Sequence, residues 1–549
     1  MSSFTPREGR IADLEGRIFD VAVIGGGITG AAVARDAAAR GLSVALLERE
    51  DWAAGTSSRS TKLVHGGLRY LERGEVRLVF ESLAERAILM EAAPHLVRPA
   101  EFLFPGYSKR GRPAWQMALG LAAYDLLALG HAPSRHRRLS REEVLGRERL
   151  LESPELVSGA VYPDARTDDA RLTLENVLDA AVLGAVVATR VEVTGLLRGS
   201  SGSVEGVEGT DGETGRAISV RARVVVNAAG PWGDRVRRLE DGGAPQLLRL
   251  SRGTHVTVPA TRLPLSGIVA FPLADGRLLF AVPHGAVTML GTTDTEFTGS
   301  PQEVFAERSD VDYLLAAARQ TFPAAALAEA DVLATFAGLR PLVREPSRGF
   351  KETSREEAIV VSGGGLVTVT GGKLTTHRRM GAKAIDRLAP LLARRGVSAR
   401  PSVTRMRRFP GAPREALDAF LSGFASRARS IGLDDPIALH LGLRYGSRAA
   451  EVLSVVAAEP ALARRLSPGL PDIDAEILFA ARTEDARSLS DAFHRRTHVF
   501  WQAPDHGMEA AERACALLAR ELGWSKEREH ASLDGYAAEV ALSNRFKGP

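Results

Sequence analysis

Cysteine is almost absent: Cys515 is the single thiol in 549 residues, so no internal disulfide can form. It sits in the apolar run Ala514-Cys515-Ala516-Leu517-Leu518 and reads as a small buried residue of a helix. Sparse cysteine fits a reducing compartment, and a cytoplasmic protein is expected. Long apolar runs are missing too. No stretch reaches the roughly 18 apolar residues that would span a bilayer. The closest, Gln116 to Gly130, is short and carries Asp125. Met1 to Glu8 contain no apolar core, so no signal peptide is expected. Charge of one sign is also lacking. The net charge is +4, too small an excess to argue for nucleic acid as a partner. The histidines are scattered without ligand spacing, so no metal site is expected.

What is present is an ordinary globular balance, 45% hydrophobic and 25% charged. At about 100–200 residues per domain the length predicts roughly three units. Phe19 to Ile24 reads as a buried strand, Ala31 to Arg40 as a helix of small residues, and Leu42 to Leu47 as a second strand. This is a βαβ unit, which implies a parallel sheet. Helices are expected at Glu81 to Met90, Arg112 to Gly130 and Arg171 to Leu183. Arg198 to Arg216, rich in Gly, Ser, Thr and Glu, reads as an exposed hairpin loop. Short strands alternate with turns between Gly253 and Thr295, the pattern of an antiparallel sheet. Beyond a Pro- and Arg-rich linker, Arg394 to Pro413, the chain reads as helical to its end.

Gly25-x-Gly27-x-x-Gly30 follows the first strand directly and opens the helix. The first glycine permits a tight turn, the second lets a pyrophosphate approach the backbone, and the third lets helix pack on strand. The helix N-terminus then offers N–H groups and a positive dipole end to phosphates. Glu48 closes the second strand, placed to accept hydrogen bonds from ribose hydroxyls. A dinucleotide site follows. Three features favour FAD over NAD: the N-terminal position of the loop in a long chain, the late strand Val224 to Asn227 ending in Ala228-Ala229-Gly230, and Gly371-Gly372-Lys373 opening another helix. A helix start there would stabilise negative charge on a reduced flavin.

The segment from Gly55 to Glu72, GTSSRSTKLVHGGLRYLE, closely resembles the flavin-facing segment of FAD-dependent glycerol-3-phosphate dehydrogenases. Ala337 to Leu342 and Gly371 to Thr376 resemble two further motifs of that family, as do Asp168 to Leu172 and Gly291 to Asp294. Arg444 to Ser447 and Ala481 to Arg487 look like its helical cap. The resemblance implies an α/β chain: a Rossmann-like FAD domain of the glutathione-reductase type, an interleaved antiparallel-sheet substrate domain and an all-α C-terminal domain. The expected division gives 1–95, 155–245 and 336–393 to FAD, 96–154 and 246–335 to substrate, 394–413 to the linker, and 414–549 to the helical domain. One position departs from the family: His377 stands where a tyrosine is usual, and a peripheral place is expected for it.

The resemblance implies oxidation of sn-glycerol 3-phosphate to dihydroxyacetone phosphate, with electrons passed to the quinone pool. Such chemistry needs cations for the phosphate, a base for the hydroxyl proton and positive charge near the flavin N1/C2=O edge. Arg69 and Arg340 are the phosphate candidates, since a guanidinium binds phosphate through two parallel hydrogen bonds. Tyr70 can hydrogen-bond substrate oxygens. His255 is the first candidate for the base, because imidazole titrates near neutral pH. Lys373 is the candidate for the charge at the flavin and can also reach the substrate. Cofactor contacts are expected from Gly25, Gly27, Gly30, Glu48, Thr56, Ser60, Lys62, His65, Gly66, Val191, Gly230, Gly371, Gly372, Lys373 and Leu374.

A quinone-linked enzyme must touch the bilayer, and without a spanning helix that contact is monotopic, at the inner face of the cell membrane. The arginine-rich stretch His131 to Arg149, following an apolar helix, is a candidate docking patch. Oligomeric state is left open, a homodimer among the options. Competing readings are an oxygen-using glycerol-3-phosphate oxidase, an amine or amino-acid oxidase, and a non-catalytic FAD-binding protein.

Overall fold

The strand Ile18–Ile24 is apolar because it is covered on both faces, and it runs parallel to Val44–Leu47 on one side and Ala217–Asn227 on the other. The computed structural model describes residues 4–71, 74–111, 114–128, 134–344 and 357–548, the side chains of Arg69 and Ala114 excepted. These strands belong to an eight-stranded sheet in the order Glu357–Val361, Val367–Gly371, Ala217–Asn227, Ile18–Ile24, Val44–Leu47, Val186–Ala188, with Val191–Arg198 and Val204–Asp211 attached. Helices Ile28–Ala39, Asp169–Val182 and His377–Ala393 pack on one face, where Val23, Ala34, Val177 and Ile385 meet. Alanine and glycine dominate the first helix, so it can approach the sheet closely.

The expectation of an exposed loop over Arg198 to Arg216 is corrected. Val204–Asp211 is a strand that pairs antiparallel with both Val191–Arg198 and Ala217–Asn227. Its Val204 and Val207 are buried while Glu205 and Glu208 are exposed, and the abundance of Gly and Glu disguises the strand.

The second sheet has ten strands, mostly antiparallel, with Leu248–Pro259 hydrogen-bonded to Ala334–Val343, Val287–Gly291 and Thr295–Phe297. Leu63–Val64, Leu156–Arg166 and Ala334–Val343 all join it, although their segments were expected with the FAD part. The two sheets thus exchange chain at the very segments that carry the glycine-rich and arginine motifs. The predicted helices at 81–90, 112–130 and 171–183 appear as Val76–Ala92, Ala114–Ala128 and Asp169–Val182. Residues 112, 113 and 129–133 lie outside the described ones.

Beyond residue 413 the described elements are helices, among them Leu417–Ser430, Asp474–Thr483, Met508–Leu522 and Lys526–Asn544. Cys515 is buried there, as its neighbours indicate. Buried ion pairs clamp this unit to the rest: Arg496 and Arg495 on Asp51, Arg171 on Glu484, and Arg10 on Asp485. Asp51 stands in the loop that leaves the second parallel strand, so the clamp also holds the wall of the cavity described next.

Candidate active site

A cavity of about 360 Å³ opens where the two sheets meet. Its floor is the glycine loop. Gly25 has φ +108°, and a Cβ there would lie 2.7 Å from the Ala228 carbonyl oxygen. A Cβ on Gly30 would fall 1.9 Å from the Gly25 carbonyl oxygen. Gly30 therefore serves helix–strand packing and does not line the cavity, while Gly25 and Gly27 do. Ser57 Oγ accepts from the N–H of Ile28 at the helix start, 2.9 Å away. Glu48 reaches the cavity and accepts the N–H groups of Gly26 and Glu50, at 2.6 and 2.8 Å. Burial raises its pKa, and these two bonds oppose the rise.

Opposite the loop, Gly371 and Gly372 take φ of +74° and +73°, a left-handed turn that side chains disfavour. Lys373 and Leu374 follow it into the helix. Lys373 Nζ lies 3.4 Å from the centroid of the Tyr70 ring, a cation–π contact. Thr56, Ser60, His65, Val191 and Gly230 complete the expected cofactor set on the wall. An elongated cradle with a phosphate-type helix start at one floor, an acidic strand end beside it and a glycine turn at the far end fits a dinucleotide. Besides Gly30, two expected contacts are corrected. Lys62 turns away and pairs with Asp169, its Nζ 2.5 Å from Oδ1. Gly66 is packed behind the wall, where its N–H reaches the Tyr124 hydroxyl at 3.0 Å and a Cβ would lie 2.5 Å from Leu83.

The second sheet brings Arg340 and His255 to the same cavity. Arg340 Nη2 donates to Thr292 Oγ1 at 2.9 Å, and Nη1 approaches Asp294 Oδ1 at 3.2 Å. Gly253, two residues before His255, leaves room for it: a Cβ there would sit 2.4 Å from Arg340 Nη2. The motif Gly291 to Asp294 thus orients the arginine. His255 stacks on Phe336, ring centroids 4.8 Å apart, and its Nε2 lies 2.9 Å from Thr61 Oγ1. Burial pushes its pKa well below the usual value, and the nearby Arg340 and Lys62 charges push the same way. The Arg69 side chain lies outside the described residues.

Asp168 and Asp169 explain another motif. Asp168 caps the helix Asp169–Val182, accepting the Arg171 N–H, and faces His498. Asp169 holds Ser60 and Lys62. His377 is not peripheral in the packing: it is fully buried, bonded to the Leu374 carbonyl and to Asn176, and burial brings its pKa down to about 3. It lies outside the cavity lining. Sequence reasoning missed Thr61, Arg59, Trp232 and Gly253 on the wall. For Thr61 and Arg59 the signal was their place inside the resembling segment. For Gly253 it was a glycine two residues before the candidate histidine.

Residues 20–378 match the family described as FAD dependent oxidoreductase, and residues 402–529 match the C-terminal domain of alpha-glycerophosphate oxidase. The chain is 35% identical over 537 residues to an aerobic glycerol-3-phosphate dehydrogenase of Staphylococcus saprophyticus, covering 97% of this chain and 95% of the relative. It is 37% identical over 523 residues to glycerol-3-phosphate dehydrogenase 2 of Mycobacterium tuberculosis, covering 95% and 88%. Among solved structures, the glycerol-3-phosphate dehydrogenase from Bacillus halodurans complexed with FAD superposes with a TM-score of 0.82 at 31% identity, covering 99% of this chain and 98% of that one.

Proposed function

Because this chain belongs to the family of FAD-dependent glycerol-3-phosphate dehydrogenases, we propose that it oxidises sn-glycerol 3-phosphate to dihydroxyacetone phosphate in the cavity between its sheets. The observation that carries this reading is the meeting of Arg340, His255 and Lys373 in the cavity that the Gly25–Gly27 loop floors. FAD, when bound, supplies hydride acceptance at N5. The chain supplies the rest. Gly25, Gly27 and Glu48 would hold the adenosine and pyrophosphate end, and Thr56, Ser60, His65, Val191 and Gly230 would flank the middle. Gly371, Gly372, Lys373 and Leu374 would hold the ring end, where the Lys373 charge would offset negative charge on the flavin. Arg340 binds the substrate phosphate, joined by Tyr70. His255 stands at the reacting alcohol.

The acceptor half of the proposal is a membrane quinone. Its support is a stripe on the helix Ala114–Ala128, where Trp115, Leu119 and Leu126 are 66%, 66% and 71% exposed. Their spacing puts them on one helix face, apolar and turned to solvent, as in helices that lie in a bilayer interface. The exposed Arg135 and Arg138 follow, and His136 ties that segment to Asp125 of the helix at 2.7 Å. Arg137 and Arg147 are already paired, with Glu143 and Glu101, so the docking charge rests on fewer arginines than the sequence offers. Among the described residues no helix is long and apolar enough to cross a membrane. Peripheral attachment to the inner face of the cell membrane belongs to the same proposal, and a homodimer stays among the options. The match of residues 402–529 to an oxidase domain keeps molecular oxygen as the second reading of the acceptor.

The test begins with purified yellow protein mixed with glycerol 3-phosphate under nitrogen. Bleaching of the flavin absorbance is expected, and its absence removes the substrate assignment. Adding oxygen or a soluble quinone to the bleached enzyme then identifies the acceptor by which of them restores the colour.

A further inference from the structure

A second cavity, of about 570 Å³, lies where the helical unit meets the two sheets. Glu50, Ala54 and Arg59 face it as well as the first cavity, so the two share a wall. The helix Lys526–Asn544 turns one face to it, with Gly535, Glu539 and Leu542 at helical spacing. An added Cβ on Gly535 would meet nothing within 4 Å. Phe336, Phe500 and Trp501 line it too. Trp501 meets the other two rings edge-on, at centroid distances of 4.6 and 4.7 Å. The volume suits a small organic ligand.

Five arginines line this cavity, and four of them already have carboxylate partners. Arg190 pairs with Asp491 at 2.6 Å, and Arg495 with Asp51 and Asp491 at 2.6 Å each. Arg528 pairs with Glu213 at 3.1 Å and Arg487 with Asp485 at 3.2 Å. Glu539 is taken by His494 at 2.8 Å, and Glu50 by Arg49. Arg59 is the exception. Its Nη1 donates to the Ala337 carbonyl at 3.2 Å, and it has no carboxylate partner among the described residues. Desolvation lowers its pKa, and the next charges to act on it are Glu539 and Arg495, which line the second cavity and not the first. Its guanidinium therefore belongs to the second cavity. Gly338 makes room for the side chain, since a Cβ there would lie 2.9 Å from Arg59 Cβ. A guanidinium drawn out of water without an anion is costly to the fold.

We propose that the second cavity is a binding site for a small aromatic carboxylate, whose carboxylate pairs with Arg59 and whose ring lies among Phe336, Phe500 and Trp501. The planar fork of a guanidinium matches a carboxylate through two parallel hydrogen bonds. A single negative charge fits better than a phosphate dianion, because one arginine is left to receive it and Glu539 and Glu50 already act on that arginine. The aromatic walls favour a ring, which packs on them edge to face or offset. Phe336 also stacks on His255, so the occupant touches the side chain that backs the candidate base. The site is separate from the phosphate position at Arg340, and it does not depend on which substrate the first cavity takes.

The first experiment is calorimetric titration of the FAD-loaded wild-type protein with 2-naphthoate and, separately, with the uncharged 2-naphthamide. Naphthoate should saturate one site with a Kd of about 10⁻⁴ to 10⁻³ M. The amide should bind about 10- to 100-fold more weakly, the worth of a charged hydrogen-bonded pair. No saturable naphthoate binding up to about 10 mM, or equal binding of the amide, overturns the proposal. Variants then locate the site. Arg59→Met and Gly535→Leu, the second filling the cavity from its helix wall, should each weaken naphthoate about tenfold or more. Arg340→Ala, in the first cavity, should bind it within about twofold of wild type. Binding lost in Arg340→Ala and kept in Gly535→Leu places the anion in the first cavity and overturns the proposal. A last measurement needs no variant: anomalous diffraction from wild-type crystals soaked in 6-bromo-2-naphthoate. A bromine peak beside Phe336 and Trp501 in the second cavity is expected. No peak there overturns the proposal.

Discussion

Lys62 Nζ lies 2.5 Å from Asp169 Oδ1, and both side chains are buried. The other oxygen of the same carboxylate takes the N–H and the hydroxyl of Ser60, at 3.0 and 2.7 Å. One carboxylate thus pins residues 60 to 62 to the start of the helix Asp169–Val182 and leaves Thr61 facing His255. Lys62 pays for its turn with φ +58°, which only a well-anchored lysine keeps.

Removing that anchor strands a buried ammonium. Asp169→Ala should lower the unfolding free energy by about 3–5 kcal/mol. Urea or thermal unfolding of the two proteins gives the difference. A midpoint unchanged from wild type would show that the pair carries no weight.

Gly30→Ala places a methyl carbon 1.9 Å from a backbone oxygen that cannot step aside. The helix must shift away from the strand, with overpacking strain of about 1–3 kcal/mol and a widened phosphate turn. The purified variant should lose its yellow colour. Retention of stoichiometric flavin by absorbance would contradict the packing role.

Arg340→Ala removes a charged donor pair from the cavity wall while leaving the glycine loop intact. The proposed phosphate contact predicts a KM for glycerol 3-phosphate about 10- to 100-fold higher, with FAD still bound. Unchanged steady-state kinetics would take Arg340 out of the site.

In the helical unit, His440 Nε2 meets Glu476 at 2.9 Å and Asp472 at 3.5 Å. Burial works against the charged ring, but the two carboxylates outweigh it, and the pKa is raised. The folded state therefore holds the proton more tightly than the unfolded chain. This stabilisation is complete below the unfolded value of about 6.5 and fades as pH rises through the higher folded value. Thermal midpoints should fall across that window in wild type and change less in His440→Asn. Parallel curves would exclude the linkage. The same three groups have ligand atoms within 4.8 Å of one another, a cluster that their spacing in the sequence gave no reason to expect.

The apolar stripe gives a membrane prediction. Trp115→Glu with Leu119→Glu should abolish flotation with anionic-lipid vesicles and leave flavin bleaching by glycerol 3-phosphate unchanged. Equal flotation of variant and wild type would move the docking surface elsewhere.

The nucleotide loop was legible in the sequence because everything that defines it is local. Strand, turn and helix follow within a few residues of Gly25, and each glycine answers a contact a side chain would break. The helical character beyond residue 413 was legible for the same reason, since helical hydrogen bonds are local. The strand at 204–211 was not, because its Gly and Glu read as a loop until the neighbouring strands pair with it. Nor was the fate of Lys62. It sits in a segment that resembles a flavin contact, yet a carboxylate 107 positions away takes it out of the cavity.

By itself, then, the sequence determined the dinucleotide loop, the order of elements and the residue types at hand: arginine, histidine, lysine, glycine turns. Only the tertiary structure decided which of them face one another. Arg340 and His255 reach the glycine loop because Leu248–Pro259 and Ala334–Val343 pair in register, and His255 fits because Gly291 lies opposite it. Register and burial are long-range properties, set by which surfaces exclude water together, and no local run of residues carries them.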